Sequence, residues 1–221
     1  MMLKLRNALP PEDLAQIRKD LAATQMQDGA VSGKASLKQN LQSPHGNPAM
    51  QKATQIIVQA LSRQPEFTAY AVPKQMTVVF NRYDVGMHYK THMDAALMGG
   101  LNRQPLRSDL SFTLFLSDPT EYGGGDLVLE SPWGELRVKE PAGTAFVYPS
   151  NMLHRVENVT EGSRMAAIGW VQSMFRDQAQ REILFDVYKL RADLVSQFPD
   201  SEFQERVDRI RENLMRTWAE V

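Results

Sequence analysis

Hydrophobic positions along the chain change their spacing twice, and each change marks a different kind of element. Over residues 11–25, Leu14, Ile17 and Leu21 recur at helical spacing, and Glu12 and Asp13 stand in the first turn, where the helix dipole favours negative charge. A second helix is predicted over residues 49–62, with Ala53, Ile56, Ile57, Ala60 and Leu61 on one side. Between them, residues 27–48 are polar and broken by Gly29, Gly33, Pro44, Gly46 and Pro48, which reads as a long loop of the kind that binds or covers a ligand. From residue 76 the period shortens, and runs rich in Val, Phe, Thr and Tyr at 76–83, 109–117, 126–130, 134–138, 144–148, 154–159 and 164–171 alternate with Gly, Pro and Asp. After residue 175 helical spacing returns. Asp177 is placed to cap a helix carrying Ile183, Val187, Leu190 and Leu194, and Ser201 with Gln204 forms a capping-box pattern before Phe203, Val207, Ile210, Leu214 and Trp218.

Several short strands at this spacing argue for a sandwich or barrel, with a jelly roll as the leading architecture. The fold class is therefore mainly β with flanking helices: an N-terminal helical segment (1–75) holding the substrate-loop candidate 27–48, a jelly-roll domain (76–174) and a C-terminal helical extension (175–221). The C-terminal apolar stripe suits core packing, with a homodimer helix as the alternative. Composition narrows the function. With 43% hydrophobic and 23% charged residues the chain is of ordinary globular make-up, and a net charge of −1 implies neither nucleic acid nor membrane as partner. There are no cysteines, so disulfides, thiolate metal sites and Cys nucleophiles are excluded, and any metal must be held by His and carboxylate. The first residues lack the apolar core of a secretory signal and no apolar run is long enough to span a bilayer, which makes a cytoplasmic protein the default.

His92 and Asp94 stand two positions apart, and on an extended strand such residues project to one face, where both can ligate one metal. Alone the pair is a weak signal that a surface His–Asp contact explains as well. His154, in a later predicted strand, completes two His and one carboxylate, the set that covers one face of a non-haem iron and leaves adjacent positions open. Arg164 begins the strand after His154, and a turn near 159–161 would set the two almost opposite each other in an antiparallel hairpin. Arg164 either points to solvent, as most Arg do, or faces the interior, where it needs an anion and its planar fork suits a carboxylate. His88 is assigned to a supporting or surface position, because a fourth ligand would block the open positions; His45, in the polar loop, and Asn81 and Arg82, near the mouth, are candidates for substrate contact.

The string Asn81-Arg82-Tyr83-Asp84-Val85-Gly86-Met87-His88-Tyr89-Lys90-Thr91-His92-Met93-Asp94 resembles the Tyr-x-x-Gly-x-x-Tyr-x-x-His-x-Asp signature of prolyl-4-hydroxylase-like Fe(II)/2-oxoglutarate dioxygenases. It is followed in order by Leu114-Phe115-Leu116-Ser117, Tyr122-Gly123-Gly124-Gly125-Asp126-Leu127, Pro141-Ala142-Gly143-Thr144-Ala145-Phe146, and His154 with Arg164 ten residues later. The resemblance covers about residues 76–174, and the whole chain is similar to the bacterial PKHD-type hydroxylases. It implies a double-stranded β-helix with the site in its mouth, Fe(II) on His92, Asp94 and His154, and 2-oxoglutarate held through its distal carboxylate by Arg164. Tyr89 and Tyr83 would donate hydrogen bonds to the cosubstrate, although core packing accounts for buried Tyr equally well. The implied reaction joins dioxygen-dependent decarboxylation of 2-oxoglutarate, yielding succinate, to hydroxylation of a substrate C–H, with peptidyl proline or a small molecule as substrate and L-ascorbate as a family requirement. The Asp94 carboxylate favours hydroxylation over halogenation, since related halogenases lack it; demethylation and desaturation stay open. The alternative from another class is a non-catalytic jelly roll that binds iron or 2-oxoglutarate as a sensor or binding module.

Overall fold

Three helices begin on a proline, whose fixed φ suits the first helical position and whose missing N–H costs nothing there. They are α1 (Pro11–Ala23), α2 (Pro48–Ser62) and α3 (Pro65–Ala71), preceded by β1 (Leu3–Leu5). The structure, a computed structural model, describes residues 1–33, 36–99, 105–199 and 202–220. Between α1 and α2 the chain departs from the expected loop. It forms β2 (Gln27–Asp28), a short 3-10 turn (Gly29–Ser32), β3 (Lys38–Gln39) and β4 (Leu41–Gln42). Strand pairing uses backbone groups and needs no apolar alternation, so two-residue strands leave little trace in a hydrophobic pattern.

The β-rich part comprises β5 (Pro73–Asp84), β6 (His88–His92), β7 (Leu97–Met98), β8 (Leu106–Arg107), β9 (Leu110–Phe115), β10 (Tyr122–Gly124), β11 (Leu127–Ser131), β12 (Gly134–Val138), β13 (Ala145–Pro149), β14 (His154–Val156) and β15 (Val159–Ser173). A large antiparallel sheet runs in the order β1-β13-β9-β15-β5-β4-β2, with β10 also pairing β15; a smaller one runs β12-β11-β14-β6-β3; β7 and β8 form a separate pair. Along β13, β14 and β15 the chain passes from the large sheet to the small one and back, as in a jelly roll. Hence the expected hairpin between His154 and Arg164 does not form. His154 pairs with Leu129 and His92 in the small sheet, whereas Arg164 pairs with Tyr83 in the large one. The two are linked through Tyr148, whose ring meets His154 edge-on at 5.2 Å and whose phenol feels the Arg164 charge, a relation between the sheets that a linear count to the nearest turn does not reveal.

Every residue of β9 is buried, because this strand is covered on both faces. Leu110, Phe112 and Leu114 point one way, into a core shared with Ile17, Leu21, Ile57, Leu61, Phe67, Tyr70 and Phe185 of the helices. On the opposite face Phe115 packs with Phe146 and Tyr148 of β13 and with Leu127, Leu129 and Val138 of the small sheet. The exposed edge strand β12 carries Glu135 and Arg137, charges that discourage further strand addition. After β15 comes α4 (Gln178–Gln197), capped by the Asp177 carboxylate accepting from the Ala179 and Gln180 N–H groups, and then α5 (Glu202–Trp218). Ser201, the first half of the expected capping box, lies outside the described residues. Arg191 of α4 meets Asp208 of α5 at 2.5 Å. Val207 is buried, but Ile183, Leu190, Phe203 and Ile210 stay exposed, so packing within the chain uses part of the C-terminal stripe.

Candidate active site

His92 is the last residue of β6, and Asp94 lies just beyond it rather than within the strand. His154 opens β14, directly opposite His92 in the ladder. The Nε2 atoms of His92 and His154 stand 3.9 and 3.8 Å from Oδ1 of Asp94, and one ligand atom from each residue falls within 4.8 Å of the others. Each imidazole is aimed by its far nitrogen. Nδ1 of His92 faces the Lys90 carbonyl at 2.8 Å and Nδ1 of His154 the Met152 carbonyl at 3.0 Å, which leaves each Nε2 with a lone pair for a metal. Burial and the adjacent His154 push the His92 imidazole down to about 4, so it is neutral, as a ligand must be. Ser111 donates to Oδ2 of Asp94 at 2.5 Å and is itself 2.8 Å from the Ser150 hydroxyl, so Oδ1 of the carboxylate is turned towards the imidazoles. Two imidazoles and one carboxylate suit Fe(II) and close only part of its coordination sphere.

Arg164 lies deeper. It is fully buried, and Nε, Nη1 and Nη2 all lack a hydrogen-bond partner among the described residues. Its guanidinium carbon stands 5.3 Å from the Tyr83 ring and 5.5 Å from the Phe115 ring, and Gly125 makes room for its stem, since a Cβ there would lie 3.1 Å from Cδ of Arg164. A buried cation with three unsatisfied donor atoms demands an anion, and a planar carboxylate matches the fork. The interior therefore carries a cluster that could hold a metal and a guanidinium that could meet a carboxylate.

The two tyrosines sit differently. Tyr83 is buried beside Arg164, and burial pushes its phenol up to about 12, so it stays a hydrogen-bond donor. Tyr89 stacks on the His92 ring, centroids 3.6 Å apart, with its hydroxyl on the side of Gly33. His88 lies 3.4 Å through Nδ1 from the Gly86 carbonyl, outside the His92–Asp94–His154 cluster, and His45 is exposed. Asn81 is buried with Oδ1 unpartnered among the described residues, and Arg82 pairs with Asp84 at 3.1 Å. Sequence reasoning missed Ser111, Tyr122 and Lys38. Ser111 and Thr113 are polar breaks on the inner face of an otherwise apolar strand, which is a legible signal; Tyr122, whose buried hydroxyl lies beside Arg164 and has no hydrogen-bond partner among the described residues, had none beyond its place before the glycines.

Comparison with known proteins agrees with this geometry. The 2OG-Fe(II) oxygenase superfamily matches residues 78–172. A PKHD-type hydroxylase of Synechococcus sp. (strain JA-2-3B'a(2-13)) is 41% identical over 226 residues, and one of Stenotrophomonas maltophilia (strain K279a) is 40% identical over 225, each alignment covering all of both chains. Among solved structures, a Pseudomonas putida prolyl-4-hydroxylase aligns with a TM-score of 0.55 at 18% identity, over 78% of this chain and 92% of that one. A Trichoplax adhaerens prolyl hydroxylase aligns with a TM-score of 0.57 at 14% identity, over 82% and 86%. The likeness to solved structures fixes the jelly-roll fold, and the full-length relatives fix the rest: this chain belongs to the PKHD-type hydroxylases of the 2-oxoglutarate- and Fe(II)-dependent oxygenase superfamily.

Proposed function

We propose that His92, Asp94 and His154 hold Fe(II), that Arg164 grips the distal carboxylate of 2-oxoglutarate with Tyr83 and Tyr89 on its walls, and that the site hydroxylates peptidyl proline. The observation that carries the residue roles is the Arg164 guanidinium, sealed from solvent and without a hydrogen-bond partner among the described residues. When bound, Fe(II) and 2-oxoglutarate supply the oxidising chemistry, decarboxylation to succinate providing two of the electrons that dioxygen reduction needs. The chain's own residues orient and enclose. Ser111 and the Lys90 and Met152 carbonyls fix the ligand atoms, Arg164 fixes the cosubstrate lengthwise, and Phe115 and Tyr148 wall the interior from water. Support for the substrate comes from fold neighbours, one a viral collagen prolyl hydroxylase and one a prolyl hydroxylase solved with a hypoxia-inducible factor peptide. An ascorbate requirement belongs to the same proposal and is supported by the family resemblance alone.

The test is succinate formation by the Fe(II)-loaded protein with 2-oxoglutarate, dioxygen and proline-containing peptides. Peptide should stimulate succinate release and gain a hydroxyl, and His92→Ala, folded by circular dichroism, should abolish both. Undiminished turnover in His92→Ala would remove the metal assignment, and stimulation by free amino acids but not by peptides would remove the substrate.

A further inference from the structure

The short run from Lys38 to Gln42 bridges the two sheets. Lys38 pairs with Tyr89 at the edge of the small sheet, and Gln42 pairs with Asn81 in the large one. Alternate residues of an extended run share a face. Here Lys38, Asn40 and Gln42 are buried, while Gln39 is exposed and Leu41 half-buried. Packing on a core selects the opposite pattern, apolar in and polar out, so this stripe is not explained by the hydrophobic core.

Nor is it explained by its own hydrogen bonds. Nζ of Lys38 donates to the Ser32 hydroxyl at 2.8 Å and to Oε1 of Gln42 at 2.9 Å, both neutral acceptors, and among the described residues no carboxylate lies within salt-bridge distance of it. It stands 5.6 Å from the centre of the Tyr89 ring, which stacks on His92. Burial lowers the Lys38 ammonium to about 8, leaving it charged at neutral pH. Both amide atoms of Asn40 and Nε2 of Gln42 are buried without a hydrogen-bond partner among the described residues, and the Asn40 amide faces the Tyr83 hydroxyl. A buried ammonium bonded to neutral acceptors, with the Asp28 and Asp94 carboxylates acting on it only from beyond ion-pair distance, and the unpaired amide atoms of Asn40 and Gln42, in side chains 5% exposed or less, each oppose folding. A ligand that supplies charge and hydrogen bonds recovers that cost.

We propose that Lys38, Asn40 and Gln42 form the substrate-recognition wall of the site, and that the molecule to be oxidised presents a carboxylate to Lys38. The inference rests on the iron and 2-oxoglutarate reading above, which assigns the two carboxylates of the cosubstrate to the metal end and to Arg164 and so leaves Lys38 for a third. A peptide meets this condition through its C-terminus or an acidic side chain beside the oxidised residue, and a small acid meets it directly.

The full chain loaded with Mn(II) and N-oxalylglycine, an inert stand-in for 2-oxoglutarate, is titrated calorimetrically with matched probes: N-acetyl-L-proline against N-acetyl-L-prolinamide, and N-benzoylglycine against its amide. The acids should bind at least about tenfold more tightly than the amides, the scale of one charge-assisted hydrogen bond. Lys38→Met should bring that ratio close to one, Lys38→Arg should retain much of it, and the outward-facing Gln39→Ala should retain all of it. Equal binding of acids and amides, binding of neither, or a ratio that survives Lys38→Met overturns the inference. So does a loss of N-oxalylglycine affinity in Lys38→Met as large as the loss of probe affinity, which would give the wall to the cosubstrate. Failure of N-oxalylglycine to bind the wild-type Mn(II) protein is a different result, which overturns the underlying reading and this inference with it. Because the wild-type ratio is itself decisive, the inference stays testable if Lys38→Met does not fold.

Discussion

Arg164 carries a full charge into a place where water does not reach, and a folded chain gains nothing from that until an anion arrives. Breaking a buried ion pair leaves a residue in this condition and costs about 3–5 kcal/mol, whereas replacing buried charges by apolar groups of similar size is neutral or stabilising by about 1–4 kcal/mol. Arg164→Met is therefore expected to melt at the same or a higher temperature than wild type in the absence of 2-oxoglutarate, and to need at least about a hundredfold more 2-oxoglutarate for half-maximal succinate formation. A variant that is markedly less stable and keeps its 2-oxoglutarate requirement would show that the guanidinium serves the fold. Of the candidate site, the convergence of His92, Asp94 and His154 was legible in the sequence because few residue types ligate a metal, whereas the inward turn of Arg164 was left open against a solvent-facing one. The burial of Lys38 was not legible, since a lysine in a polar stretch reads as solvated until the backbone places it between two sheets.

At the scale of elements, β15 does most to build the site, because it pairs with β5, β9 and β10 and carries Arg164 on its inner face. Gly162 sits two residues before Arg164 with φ of 65°, and a Cβ there would lie 2.1 Å from the backbone oxygen of Glu121. Alanine at that position must push apart the pairing of Gly162 with Tyr122, whose ring borders Arg164. Gly162→Ala should lose about 2 kcal/mol or more of stability and weaken 2-oxoglutarate binding at least several-fold. Gly134→Ala is the control: its φ of 124° strains any side chain, but beyond its chain neighbours no atom of the described residues lies within 4 Å of the added Cβ, so it should destabilise without moving 2-oxoglutarate affinity. Equal affinities in the two variants would separate the Gly162 turn from the site. The longer strands were visible as runs rich in Val, Phe, Thr and Tyr, as were α1, α2, α4 and α5 from their apolar spacing; the seven-residue α3 and the two- or three-residue strands β1, β2, β3, β4, β7, β8 and β10 were not, because so few residues show no period. The misplaced hairpin has another cause, that a jelly roll sends successive strands to opposite sheets.

For the whole molecule the consequence is a division of labour across one sheet. Leu110, Phe112 and Leu114 of β9 look towards the helices, and Ser111, Thr113 and Phe115 look towards the site, so one strand serves stability on one face and chemistry on the other. The helical side is anchored by Phe185 of α4, which meets Tyr70 of α3 edge-on at 5.6 Å, stacks with Tyr188 at 5.9 Å and is 1% exposed. Removing that ring leaves a cavity the neighbours fill only in part, and Phe185→Ala should lower stability by about 3–5 kcal/mol. The inner face should not register the loss, because strand geometry is held by ladder hydrogen bonds on either side of β9 and by the inter-sheet core of Phe115, Leu127, Leu129 and Phe146. At a temperature where Phe185→Ala remains folded, its 2-oxoglutarate requirement should lie within about twofold of wild type, since sites with no shared partners behave almost additively. Urea unfolding gives the first quantity and succinate formation the second. A requirement raised many-fold alongside the lost stability would mean that the helical layer sets the spacing of the two sheets, and with it the distance from Arg164 to the metal ligands.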